Sequence, residues 1–208
     1  VSSEIIPIPY GFAYQERRAY RASSRLIDIV ISATALTIFS PILIAAAIAI
    51  KLDDGGSVFF VQRRVGRFGK LFPMVKLRTM HDVACGDAAK PRSGTDPRIT
   101  RVGRHLRRLS IDELPQLFNV LRGEMTLVGP RPEMPFLVQQ YAAWQQLRHI
   151  VTPGITGLWQ VTCRSTVALQ RPEATALDVE YITRESVAND IGIILKTVGS
   201  LVSTRGAH

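Results

Sequence analysis

The sequence predicts an α-rich α/β chain in two parts: an apolar helix-break-helix that enters one leaflet of a membrane and returns, and a small basic cytoplasmic domain. Three observations carry this. No charged residue occurs from Ile29 to Ile50, in the run IVISATALTIFSPILIAAAIAI, and Ser40-Pro41 falls in its middle. Two short β-rich pieces flank a turn marked by Gly66 and Gly69. Apolar residues then recur at helical spacing towards the C-terminus.

Residues 1–25 form a basic arm, loose through Tyr20 because of Pro7, Pro9 and Gly11, and carrying Arg17, Arg18, Arg21 and Arg25. Residues 26–51 are the membrane segment. At about 1.5 Å per residue the run is long enough for a hydrocarbon core of about 30 Å. Proline inside a helix removes a backbone hydrogen bond and crowds the preceding turn, so a break is expected at Ser40-Pro41. Each half is then roughly 15 to 20 Å long, too short to cross alone. Lys51, Arg63, Arg64 and Arg67 follow the segment as the four arginines precede it. Positive charge marks the cytoplasmic side, so both ends are placed there and the segment is re-entrant. A kinked span and a buried soluble helix are the alternatives. A cleaved signal peptide is disfavoured, because the run starts late and lacks a small-residue cleavage signal.

Residues 52–208 form the cytoplasmic domain. The stretch SVFFVQRRVGRFGKLFPMVKLRTM reads as a basic β-hairpin. Asp82 to Pro97 is small, polar and rich in turn residues, and reads as a loop that can cover a site. Ser110 followed by Glu113 has the form of a capping box, so a helix is expected to begin there, bury Leu114, Leu117, Phe118 and Leu121, and stop at Gly123. Further helices are expected over Pro132 to His149, Pro172 to Glu185 and Asn189 to Ser203. The last carries Ile191, Ile194, Leu195, Val198 and Leu201 as a stripe, for a core or for a bilayer surface.

The 208 residues suffice for one core, and 26 Lys and Arg against 17 Asp and Glu give a net charge of +9 and a pI near 10.1. An anionic partner follows. Cys85 and Cys163 are far apart, and the four histidines are scattered, which disfavours a disulfide framework and a zinc site. Nucleic acid is disfavoured as well: aromatic residues are 7% of the chain, and no stacking stripe or recognition motif accompanies the basic run RITRVGRHLRR.

Asp112 and Glu113 then stand out. A helix N-terminus beside Arg107 and Arg108 favours an ionised Asp112, a carboxylate nucleophile at neutral pH. Neighbouring helical side chains diverge by about 100°, so one acid can attack while the other holds a cation. Mg²⁺ suits such a site, since it takes one or two carboxylates and completes its shell with water and substrate phosphate. Arg131, in the stiff GPRPE turn, supplies positive charge for phosphoryl transfer. The plainer alternative is that the acids complement a helix dipole.

From Arg25 to Ala207 the chain resembles the bacterial sugar transferase family, the monotopic polyprenyl-phosphate phosphoglycosyl transferases. The resemblance runs in order through RLIDIVISATAL, SP, VFFVQRRVGRFGKLFPMVKLRTM, DPRITRVGRHLRRLSIDELPQLFNVLRGEMTLVGPRPE, PGITGLWQV and the series Asp178, Tyr181, Ser186 and Asp190. It implies a re-entrant helix joined to a small α/β globule on the cytoplasmic face of the bacterial inner membrane. It implies transfer of a sugar phosphate from a UDP-sugar to polyprenyl phosphate, with Asp112 as nucleophile and UMP as leaving group. Glu113 would bind Mg²⁺, or Mn²⁺ in its place. Arg107, Arg131 and Arg164 match positions that hold phosphate or shape the site, with Lys76, Arg78 and Arg108 as further candidates. Downstream glycosyltransferases and a second copy of the chain are the protein partners it admits. Because the chain opens on Val1, an upstream membrane bundle, as in larger members, is left open, and so is the sugar.

Two departures are notable. The family often has Lys-Phe-Arg where this chain has Lys76-Leu77-Arg78, and a glycine where it has Cys163, next to Arg164. A required positive φ there would be strained with a side chain. Outside catalysis, the competing reading is a membrane-attached basic binding or scaffold protein.

Overall fold

The computed structural model describes residues 17–81, 96–163 and 172–202. Residues 82–95 of the flap expected over Asp82 to Pro97 and most of the N-terminal arm lie outside these residues, as does Arg164.

One α-helix, α1 (Arg18–Asp54), takes up both the basic residues of the arm and the apolar run. Helical residues run on through Pro41, with no non-helical gap at Ser40-Pro41. Proline has no N–H for the Thr37 carbonyl, but the Ser40 hydroxyl donates to that same carbonyl at 2.8 Å. The orphaned acceptor is thereby satisfied within one turn.

The two ends of α1 grip the globule and its middle does not. Arg17 donates to the Glu185 carbonyl at 2.6 Å, Tyr20 to Asp190 at 2.7 Å, and Arg25 to the Leu121 carbonyl at 2.7 Å. At the other end Ala46 and Ile50 pack with Leu77 and Leu106, and Asp53 accepts from Val102 N at 3.1 Å. Between them Val30, Ile38, Ile42 and Ile44 are exposed. An apolar helix this exposed is not the core of a soluble domain.

The hairpin forms as expected: β1 (Phe59–Val65) pairs antiparallel with β2 (Leu71–Leu77). Gly66 abuts the Lys70 carbonyl where a Cβ would clash, and Gly69 takes φ +77, so both glycines are needed for this turn. The basic run forms α2 (Arg101–Arg108), capped by the Thr100 hydroxyl, which accepts from Gly103 N at 2.9 Å. After a one-turn 3₁₀ helix at Ile111–Glu113 come α3 (Gln116–Arg122) and β3 (Thr126–Val128). β3 runs parallel to β4 (Gly154–Thr156), across a connection holding α4 (Pro135–Val138), α5 (Ala143–Gln146) and a 3₁₀ turn at Leu147–Ile150. The single helix expected over Pro132 to His149 is therefore three short pieces. α6 (Leu158–Thr162), α7 (Pro172–Thr183) and α8 (Val187–Val202) complete the order.

On α8 the residue that enters the core is Ile193, with Val128, Ile150, Tyr181 and Ile182. The anticipated stripe is largely turned outward, with Ile191, Leu195 and Val198 exposed. On α3 the buried positions are Gln116, Leu117, Asn119 and Val120, and Phe118 is exposed, so the expected apolar face is rotated.

Candidate active site

The turn that carries the acids owes its shape to Pro115. An α-helix starting at Ser110 would need Pro115 to donate to the Ile111 carbonyl, and proline has no N–H. Leu114 N donates there instead, at 3.2 Å, which closes a 3₁₀ turn. Ser110 caps no backbone group with its side chain and takes φ +55, so the expected capping box does not form. A non-glycine residue in that left-handed region costs about 1 to 3 kcal/mol. With about three residues per turn, neighbouring side chains project about 120° apart, so Asp112 and Glu113 diverge.

Glu113 is pinned. Its Oε1 accepts from Lys76 Nζ at 2.8 Å and from Arg131 Nη2 at 2.9 Å. Burial opposes its charged form, yet the charges and hydrogen bonds of Lys76 and Arg131 hold its carboxyl well below the usual range. Glu113 in turn raises the Arg131 guanidinium above its ordinary value. Oε2 is left with no hydrogen bond among the described residues.

Asp112 is the opposite case: among the described residues it accepts no hydrogen bond. Burial pushes its carboxyl up to about 6, with the Glu113 charge adding to the rise and Lys76, Arg107 and Arg131 opposing it. The arginine effect expected from the sequence is present, since Arg107 and Arg131 favour the ionised form, and loss of water outweighs it.

The other anticipated residues divide. Lys76, on β2, and Arg131 reach Glu113. Arg107, at the end of α2, donates to the Thr79 hydroxyl at 3.5 Å and contributes charge to Asp112. Arg108 is exposed on the same helix. Arg78 is drawn away: it is buried and ion-paired with Asp54, Nη1 to Oδ2 at 2.8 Å, clasping the end of β2 to the end of α1.

With this geometry in place, comparison with known proteins is decisive. The model of the family described as bacterial sugar transferase matches residues 19–204. The chain belongs to the bacterial sugar transferase family. A UDP-glucose:undecaprenyl-phosphate glucose-1-phosphate transferase from Caulobacter vibrioides is 45% identical over 204 residues, covering 92% of this chain and 74% of that protein. The exopolysaccharide production protein ExoY of Rhizobium meliloti is 37% identical, covering 89% of this chain and 88% of its own. An undecaprenyl-phosphate galactose phosphotransferase from Salmonella typhimurium is 38% identical across 92% of this chain but only 43% of its own length.

Two features of this sugar transferase bear on its site. Cys163 has φ −147, outside the left-handed region that favours glycine, so the strain anticipated from a required positive φ is absent. Asn119, which sequence reasoning passed over, is fully buried and ties α3 to β2. Its Oδ1 accepts from Val75 N at 3.1 Å, and its Nδ2 donates to the Pro73 carbonyl at 2.7 Å. The strand that bears Lys76 is thus fixed to the helix that follows Glu113. The available signal was a polar residue inside an apolar helical pattern.

Among the described residues no three metal-ligating side chains converge. Glu113 Oε2, which has no hydrogen bond among the described residues, is the oxygen that could hold a divalent cation. That is the sparse protein contribution Mg²⁺ ordinarily accepts beside substrate phosphates.

Proposed function

We propose that this transferase moves a sugar-1-phosphate from a UDP-sugar to polyprenyl phosphate through a covalent phosphosugar on Asp112. The observation that carries the reading is the contrast within the acid pair: Glu113 held by two cations, and Asp112 desolvated, without a hydrogen-bond partner among the described residues, and beside them. A carboxylate without hydrogen bonds has its lone pairs available, and with a pKa of about 6 it is about nine-tenths ionised at pH 7.

In the first step an Asp112 oxygen bonds to the phosphorus that bears the sugar. The bond from that phosphorus to the UMP oxygen breaks, and its electron pair leaves on UMP. In the second step a phosphate oxygen of the polyprenyl acceptor attacks the same phosphorus. The bond to Asp112 breaks and its carboxylate returns. Arg131 and Lys76 keep Glu113 ionised and add positive charge where the phosphate oxygens gain negative charge. Arg107 adds charge from the α2 side. Mg²⁺ or Mn²⁺, held by Glu113, would supply charge neutralisation on the donor diphosphate.

The names of the relatives support both substrates, since they act on undecaprenyl phosphate with UDP-glucose or galactose donors. The exposed apolar middle of α1, with both ends resting on the globule, supports a re-entrant course that leaves the site on the cytoplasmic face of the inner membrane. Cysteines placed at Ser23 and Ser57, with Cys85 and Cys163 replaced, should then label from the same side. Labelling from opposite sides would instead indicate a span.

The test of the reaction is UMP release from a panel of UDP-sugars with Mg²⁺ and polyprenyl phosphate, comparing the protein with Asp112→Asn. Release that needs Asp112 supports the reading and identifies the sugar. Equal release by the variant, or none from any donor by folded protein, refutes it.

A further inference from the structure

The turn that presents Arg131 to Glu113 is held by four consecutive carbonyl oxygens. Pro130 O accepts from Gly154 N at 2.9 Å, Arg131 O from Arg148 Nη2 at 2.7 Å, Pro132 O from Arg64 Nη1 at 3.3 Å, and Glu133 O from Val65 N at 2.9 Å. Pro130 and Pro132 have no N–H, so carbonyls are the main handles by which the fold can grip this turn. Gly129 and Gly154 let the backbones meet closely enough for it, since a Cβ at Gly154 would lie 2.1 Å from Gly129 N.

The grip on Arg131 itself comes from a fully enclosed group. The side chains of Arg148 and Asp178 are 0% and 2% exposed and pair at 2.5 Å. Arg148 Nη1 also donates to the Tyr141 hydroxyl at 3.3 Å. A buried ion pair is weak ground for stability, because a well-packed apolar pair of similar volume often serves a core as well. An apolar pair could not donate to the Arg131 carbonyl. A lysine would retain the charge but not the planar fork that serves Asp178, Tyr141 and that carbonyl together.

We propose that Arg148, oriented by Asp178 on α7, is a positioning residue that sets where Arg131 meets Glu113. Its effect on catalysis rests on the proposed reaction, while its effect on the Arg131 turn does not.

A double-mutant cycle between Arg148→Lys and Arg131→Met, on the full chain in lipid nanodiscs, tests this through two readouts. In UMP release, Arg148→Lys should cost about tenfold alone, as expected for a displaced site group, and less than about twofold beside Arg131→Met. In thermal unfolding the two losses should be less than additive. The combined variant Arg148→Met with Asp178→Leu leaves no unpaired buried charge, so it should fold and show the same fall in rate. Wild-type rates in Arg148→Lys or the combined variant would overturn the proposal, as would an equal loss in both backgrounds or additive thermal losses. If the unaltered protein releases no UMP, the proposed reaction fails, and the thermal cycle still decides the positioning role.

Discussion

Two kinds of charge cluster are built into this protein, and they differ in how the charges are matched. At the joints of the fold, Arg78 meets Asp54 and Arg148 meets Asp178, each guanidinium set against a carboxylate. Around the acid pair, Lys76 and Arg131 converge on one oxygen of Glu113, while Asp112 is given no donor among the described residues. The matched pairs are spent on holding elements together. In the proposed reaction the unmatched carboxylate, in cationic surroundings, is the group that meets an incoming phosphate. On that proposal burial of charge does not locate the chemistry, and the mismatch does.

The sharpest way to break the contrast is at Asp112. Asp112→Asn should lower UMP release by at least about a thousandfold, as for loss of a nucleophile, with thermal stability unchanged or slightly raised because no hydrogen bond is lost. Glu113→Gln should cost about a hundredfold in rate and, unlike Asp112→Asn, about 2 kcal/mol of stability, since Lys76 and Arg131 keep an amide oxygen as acceptor but lose the negative charge they share. Denaturant unfolding of the two variants separates these outcomes. Arg78→Met should invert the pattern: a loss of about 2 kcal/mol in stability, with UMP release per folded molecule falling less than about threefold.

The smallest effect is in pH. Asp112 must be ionised to attack, so UMP release should fall as pH drops through about 6, tenfold per unit well below it. Lys76 lowers the Asp112 pKa, so Lys76→Met should move this acid limb to higher pH and cost more at pH 6 than at pH 8. An unmoved limb would detach Asp112 from the profile.

Much of this was legible in the sequence, and what was not has specific causes. The hairpin, α7 and the stop at Gly123 follow from local patterns of alternation, helical spacing and turn residues. The acid pair stood out because two adjacent acids sit among arginines. The capping box failed on one missing N–H, that of Pro115, two residues beyond the Glu113 that suggested it. Proline alone predicted a gap in the helical residues at Ser40-Pro41, and the preceding serine bonds the carbonyl that proline leaves without its usual donor. Arg131 and, more weakly, Arg78 are both candidate phosphate ligands in the sequence. Only the long-range partners, Asp54 for one and Glu113 for the other, separate them. The net rise in the Asp112 pKa was not legible, because neighbouring charge can be read from a sequence and depth below the surface cannot. Asn119 and Arg148 escaped notice because each acts on backbone groups from distant parts of the chain.

The central claim is that Asp112 carries the phosphosugar, and intact mass spectrometry tests it most directly. Protein incubated with Mg²⁺ and a reactive UDP-sugar, without polyprenyl phosphate, should gain the mass of one phosphosugar. The adduct should map to Asp112, be absent from Asp112→Asn, and disappear when the acceptor is added. UMP release with no adduct, or an adduct that survives in Asp112→Asn, would contradict the account.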